Sequence, residues 1–314
     1  VLQVGARAKI FERIKKGFGA MSVRVIQERL NSYLCASAIE EEQALREITQ
    51  EIVLAALGRT AFFDKVAFQG GTCLRIFHGV NRFSEDLDFA LRVPDSDFEL
   101  GGYLRAVVED LGAFGYQIEI DDRGGLDEVV KKAFLKDDSI GRLLKLGFRP
   151  KSGPMRKIRI KFEVDSNPPA GAAYEVKIMD FPFPGAVSLF DLPSLFAGKM
   201  HALLCREYVK GRDWYDFLWY AARSTRPNYE LLSSALDQTG PWAGKKLFVD
   251  DSWCRRELSA KIESLDFSKL CEDVKRFLKP VEVASLNLWT REFFLDRAAK
   301  LFSSSKNASS DANG

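Results

Sequence analysis

The chain has 314 residues, a formal net charge of +2 and an apolar fraction of 46%, with 24 Phe among its residues. At roughly 100–200 residues per domain, that length fits two domains, or one large domain with an extension. The composition excludes a disordered chain, which would be poor in aromatics, and a collagen-like fibre. It also excludes a protein coated in positive charge. No run of about 18 apolar residues occurs, so no membrane-spanning helix is expected.

The chain opens on VLQVGARAKIFERIKKGFGA, a basic stretch ahead of Met21, and residues 1–38 read as an arm outside the folded core. From residue 39 the pattern sharpens. EEEQALREITQEIVLAALGR has apolar residues at helical spacing and acids in the first turn. KVAFQ is a short strand that runs into Gly70-Gly71 and a short helix, TCLRIFHG. SEDLDFALRV alternates as a half-buried strand does. FELGGYLRAVVEDLGAFG reads as a helix with its Gly-Gly as a weak spot. YQIEID, the FLKDDSIGRLLKLGF region, KIRIKFEV and YEVKIMDF read as strands.

From about residue 190 the pattern turns helical, in SLFDLPSLFAGKMHALLCREY, RDWYDFLWYAAR, NYELLSSALDQ and segments near 252–278 and 286–303. The fold class is therefore α+β, a core with a mixed sheet over residues 39–189 followed by a helical domain over 190–303. Residues 304–314, small and polar, read as a disordered tail. There is no internal repeat. The five cysteines, Cys35, Cys73, Cys205, Cys254 and Cys271, make no CxxC pair, and their number is odd. With no secretory leader in view, the expectation is a reducing cytoplasm and thiols that act as small buried hydrophobes.

The chemistry concentrates in two short stretches. In Glu85-Asp86-Leu87-Asp88-Phe89, residues two apart share a strand face, so Asp86 and Asp88 project together while Leu87 and Phe89 enter the core. Two carboxylates held together repel unless a cation lies between them, and Mg²⁺ (or Mn²⁺) suits such a pair. Upstream, a strand ending in Gly70-Gly71 and opening a helix at Thr72 turns backbone N–H groups toward an anion. A third carboxylate is expected in KIRIKFEVD. There Arg159, Lys161, Glu163 and Asp165 share one face, with Glu163 the first choice and Asp165 the second.

This arrangement resembles the polymerase-β-like nucleotidyltransferase superfamily, marked by a helix-opening GG or GS, an Asp-x-Asp strand and a later acidic strand residue. Within it, AFQGGTCLRIFHGVNRFSEDLDF is similar to the signature of the AbiEii/AbiGii toxin family of abortive-infection nucleotidyltransferases. Gly70, Gly71, Thr72, Arg82, Ser84, Asp86 and Asp88 match. A second block, FAGKMHALLCREYVKGRDWYDF, matches at Lys199, Arg212, Asp213 and Asp216. The resemblance runs from about residue 40 to about 225.

It implies an enzyme that moves a nucleotide from an NTP to an acceptor hydroxyl and releases pyrophosphate. Asp86, Asp88 and Glu163 would hold metal. Gly70, Gly71, Thr72, Arg82, Ser84 and Lys199 would contact the nucleotide, and Lys199 and Asp213 would join the two aspartates in catalysis. Read from its surroundings alone, Asp213 is an N-terminal helix residue stabilised by the dipole, or pairs with Lys199, or orients substrate. The resemblance further implies a toxin of a bacterial toxin–antitoxin or phage-defence pair with a cognate antitoxin. Its acceptor would be RNA, at the tRNA 3′ end. The run Arg142, Lys145, Arg149, Lys151, Arg156, Lys157, Arg159 and Lys161, without an intervening acid, suits a nucleic-acid backbone. A small-molecule nucleotidyltransferase and a non-catalytic nucleotide-binding module are the rival readings.

Overall fold

The computed structural model describes residues 22–122, 130–137, 139, 144–148 and 158–303. The parts of the arm and tail at 1–21 and 304–314 lie outside the described residues. So do Arg142, Arg149, Lys151, Arg156 and Lys157 of the basic run. The chain forms two compact units. The first takes residues up to Ile76, Phe83–Asn167 and Val176–Leu189; the second takes Phe77–Arg82, Pro168–Glu175 and the chain from Phe190 onward.

The first unit is built on a seven-stranded mixed sheet in the order β3-β4-β5-β2-β1-β7-β6. The strands are β1 Val66–Gln69, β2 Asp86–Leu91, β3 Glu119–Asp122, β4 Val130–Asp137, β5 Ile158–Asp165, β6 Tyr174–Met179 and β7 Gly185–Phe190. β2 lies between β1, antiparallel to it, and β5, parallel to it. A parallel neighbour requires a long crossover, and α5 (Gly101–Ala113) together with β3 and β4 supplies it.

Helix α2 (Ala38–Gly58) is the buried spine of this unit, with Ile48, Ile52 and Leu54 fully enclosed. The Ser37 side chain caps it by accepting from the Glu40 N–H. α2 also buries acids, and two of them lie against a cation. Glu51 accepts from Arg29 at 2.5 Å, and Glu47 accepts from Arg75 at 2.9 Å and from the Tyr33 hydroxyl at 2.9 Å. Arg29 belongs to helix α1, residues 22–31, which buries Ile26 and Leu30. These residues, read from sequence as part of an arm, thus pack as a helix of the first unit.

Other differences are local. α5 begins at Gly101-Gly102, so the glycine pair starts the helix rather than weakening its middle. The strand expected over FLKDDSIGRLLKLGF ends at Asp137; Asp137 accepts from the Ser139 N–H and hydroxyl, which turns the chain away. β7 and the short helix α3 (Phe62–Lys65) are additional elements.

The core face of the central strands is aromatic. Phe89 stacks on Phe162 at 4.7 Å and meets Phe62 edge-on at 5.1 Å and Phe68 at 5.0 Å. All four rings are essentially closed to solvent. The second unit contains α6 (Leu192–Cys205), α7 (Gly211–Ala222), α8 (Tyr229–Gln238), α9 (Asp251–Glu263), α10 (Phe267–Lys275), α11 (Pro280–Val283), a 3₁₀ turn and α12 (Arg291–Leu301). Its core gathers Trp214, Phe217 and Phe294. Among the described residues, no helix is long and apolar enough to cross a membrane.

The aromatic cluster gives a stability prediction. Phe162→Ala removes a fully enclosed ring and should cost about 3–5 kcal/mol, measured by urea unfolding, with Phe162→Leu costing clearly less.

Candidate active site

In the first unit, β1 feeds directly into helix α4 (Gly70–His78). Gly70 takes φ +77°, in the left-handed region. A Cβ there would overlap Asp88 Oδ2 and stand 3.0 Å from the Asp88 Cβ. The glycine thus lets the helix start approach the Asp88 carboxylate. Thr72, fully buried, donates its hydroxyl to the Asp86 carbonyl and ties the first turn of α4 to the start of β2. The hydroxyl expected on a phosphate is therefore used in the fold. The first turn of α4 holds no acidic residue, and the start of a helix is where backbone N–H groups lack a partner within the helix.

Along β2 the burial alternates: Asp86 and Asp88 are partly open, while Leu87 and Phe89 are closed. The parallel register with β5 sets Asp86 beside Lys161, Asp88 beside Glu163 and Ala90 beside Asp165. Glu163 is therefore the cross-strand neighbour of Asp88, and Asp165 lies one step too far along. Asp165 is bonded by the Asn167 N–H, and burial raises its pKa. Lys161 donates to Glu163 Oε2 at 2.6 Å. Burial alone would lower its pKa, but the Glu163 bond and the charges of Glu163, Asp86 and Asp88 hold it above the ordinary lysine value.

Arg82 and Ser84 would share the Asp86 face only if β2 began that early, and it begins at Asp86. Ser84 is half-buried, and its carbonyl accepts from Gln50 at 3.4 Å. Arg82 instead forms an isolated bridge with Leu278 within the second unit. There it is buried and clasps Asp216 with two bonds of 2.6 and 2.5 Å.

Lys199, on α6, completes that cluster. Its ammonium lies 2.6 Å from Asp213 and 2.9 Å from Asp216, both on α7, and Arg206 also pairs with Asp213. Asp213 lies in the first turn of α7 and pairs with Lys199, as two of its sequence readings expect. Burial alone would raise the Asp213 pKa, but the Lys199 and Arg206 charges outweigh it and lower the value. The same acids hold Lys199 above its usual range against the pull of burial. Expected as nucleotide contacts, Arg82 and Lys199 are here held by buried carboxylates.

The family model for the nucleotidyl transferase AbiEii toxin of type IV toxin–antitoxin systems matches residues 52–297. The chain belongs to this family. No curated protein matches it. Among solved structures, it is similar to a candidate nucleotidyltransferase of Helicobacter pylori at 17% identity and a TM-score of 0.47, covering 82% of this chain and 91% of that one. The Helicobacter pylori protein JHP933 matches at 16% identity and a TM-score of 0.47, over 83% and 90% of the two chains.

For an AbiEii nucleotidyltransferase, the cation question turns on the β2–β5 face. Among the described residues, no three His, Cys, Asp or Glu side chains converge tightly enough to hold a metal ion. Asp86 and Asp88 nevertheless present partly open oxygen donors on one strand face, which fits an ion that takes one or two carboxylates, with water and substrate phosphate completing its shell. Glu163 is adjacent but bonded to Lys161. The sequence places Lys161 both in the basic run and on the Glu163 face, and the structure adds its bond to Glu163. Burial pushes the thiol of Cys205 up to about 11 and that of Cys254 up to about 12. His201 faces Thr239.

Two predictions arise from these contacts. Gly70→Ala should destabilise by about 1–3 kcal/mol, read by urea unfolding, because it forces an unfavourable φ against Asp88. Asp213 is depressed from the 3.8 of an unfolded aspartate. Its contribution is full above that value and is lost as pH falls through the lower folded value. Asp213→Asn should therefore flatten the acid limb of the stability–pH curve measured by chemical unfolding.

Proposed function

We propose that the chain is a metal-dependent nucleotidyltransferase. It joins a nucleotide from an NTP to an RNA hydroxyl, at the tRNA 3′ end, as the toxin of a toxin–antitoxin pair that acts in phage defence. The observation that carries this reading is the pairing of Asp86 and Asp88 on one face of β2, with the Gly70 backbone directly against Asp88.

Each group has a role that its position supports. Asp86 and Asp88 hold a divalent cation, Mg²⁺ or Mn²⁺, with Glu163 as the third carboxylate. When bound, that ion supplies positive charge to the phosphate oxygens at the reacting centre. Gly70 and Gly71 offer backbone N–H groups to the phosphates, and Thr72 holds that helix start in place. The acceptor oxygen, giving its proton to solvent, forms the new bond to the α-phosphorus, while the bond from that phosphorus to the α–β bridging oxygen breaks and pyrophosphate leaves. Arg82, Lys199, Asp213 and Asp216 support the reaction by fixing the segment ahead of β2 and helices α6 and α7.

The acceptor assignment is supported by the family and by the basic run between β4 and β5. Lys145 of that run is held through its main chain, with Gln27 accepting from its N–H at 2.7 Å and donating to its carbonyl at 3.2 Å. Glu41 accepts from the Gly147 and Phe148 N–H groups. Lys145 and Phe148 are left exposed, one a cation for phosphate and the other a face for base stacking.

The test uses purified protein, each of the four radiolabelled NTPs in turn, and total RNA. Label should enter RNA of tRNA size with pyrophosphate released, and Asp86→Ala with Asp88→Ala should lower the rate by about a hundredfold or more. Transfer by that double variant at the wild-type rate would overturn the assignment.

A further inference from the structure

The β2–β5 face carries more than carboxylates. Lys161 stands in register with Asp86, and Glu163 with Asp88. The Lys161 ammonium reaches Glu163 Oε2 at 2.6 Å, and both side chains are partly open, at 34% and 21% exposure. The strand bearing them is held rigidly, because its alternate residues Ile160, Phe162 and Val164 are sealed in the core. The ammonium therefore cannot leave the carboxylate face without a change of side-chain rotamer. Three carboxylates would present three negative charges; Lys161 removes one of them.

We propose that Lys161 is a built-in counter-cation of this face. It is a positioning residue that holds Glu163 beside Asp88 and competes with a divalent ion for the same carboxylates. The inference rests on the reading that Asp86 and Asp88 hold metal. Its functional consequence concerns the order of loading. A free divalent ion meets a carboxylate group already part-neutralised and a fixed like charge. An ion arriving with the triphosphate brings its own negative charges, which offset that repulsion. Lys161 thereby biases the site toward metal delivered as the NTP complex and against metal alone.

Lys132 provides an internal control. It faces Glu163 from β4, on the side away from β2. A general surface-charge effect would appear at Lys132 as strongly as at Lys161, whereas a counter-cation seated among the three acids acts through Lys161.

The experiment measures binding of Mn²⁺ alone to the full chain, by calorimetry and by loss of the free-ion paramagnetic resonance signal. Lys161→Met, which keeps the aliphatic stem, should bind Mn²⁺ roughly tenfold more tightly than wild type. Lys161→Arg should restore wild-type affinity, and Lys132→Met should shift it much less. Unchanged or weaker binding by Lys161→Met, or an equal shift from Lys132→Met, overturns the proposal. If Lys161→Met folds poorly, Lys161→Gln is read by its Mn²⁺-induced rise in Tm. That rise should exceed the wild-type rise, and an equal or smaller rise overturns the proposal. Asp86→Asn with Asp88→Asn separates the two levels of the argument. Wild-type Mn²⁺ affinity in that double variant removes the metal reading and this inference with it. Lost affinity there, with no shift at Lys161, removes the inference alone.

Discussion

Strand β2 must satisfy opposite demands on its two faces, and much of the first unit follows from how it does so. One face carries Asp86 and Asp88, which need water or a cation; the other carries Leu87 and Phe89, which are sealed in the core. Because side chains alternate with period two, a slip of one residue would bury both acids and expose both apolar groups. The penalty for burying unpaired carboxylates is several kcal/mol, far beyond what any single strand contact supplies. The aromatic cluster of Phe62, Phe68, Phe89 and Phe162 on the apolar face thus acts as the lock on the charged one. Once that register is held, the parallel pairing with β5 decides which groups meet: Asp88 with Glu163 and Asp86 with Lys161.

Gly70 ties the start of α4 to the same strand. Its left-handed backbone and missing Cβ let the start of α4 lie against Asp88, and the Thr72 hydroxyl on the Asp86 carbonyl fixes the distance along the strand. The start of α4 and the carboxylate pair of β2 are therefore held against each other, the preorganisation that the proposed phosphoryl chemistry would draw on. The second unit uses charge differently. Arg82, Lys199, Asp213 and Asp216 join three separate stretches of chain through buried ion pairs. Such pairs add little net stability, since desolvation offsets most of the attraction, but losing one partner leaves an uncompensated charge. The network is best understood as a constraint on the arrangement of those stretches.

Local patterns with strong periodicity were legible. The helical spacing of α2, the alternation of β2 and β5, and the glycine pair at the β1–α4 junction all carry their physics within a few residues. Features whose signal lies elsewhere in the chain were not. Helix α1 falls within the stretch read as an arm, and the acid that pairs with its Arg29 is distant Glu51, on α2. The end of β4 at Asp137 is set by bonds to Ser139 that no periodicity announces. Phe77–Arg82 and Pro168–Glu175 join the second unit across intervening strands, which no linear division of the chain anticipates.

The sequence alone determined the chemistry available: two acids on one strand face, glycines where a helix opens, a later strand with Glu163, and the match to the AbiEii family over residues 52–297. Those features are local, and local sterics and alternation are enough to produce them. The tertiary structure alone decided how those groups are used. Strand pairing chose Glu163 over Asp165 as the neighbour of Asp88 and set Lys161 among the acids. Packing gathered Arg82 and Lys199 with Asp213 and Asp216 into a buried network. Partnership between charges is a matter of distance in space, and only the folded chain fixes it.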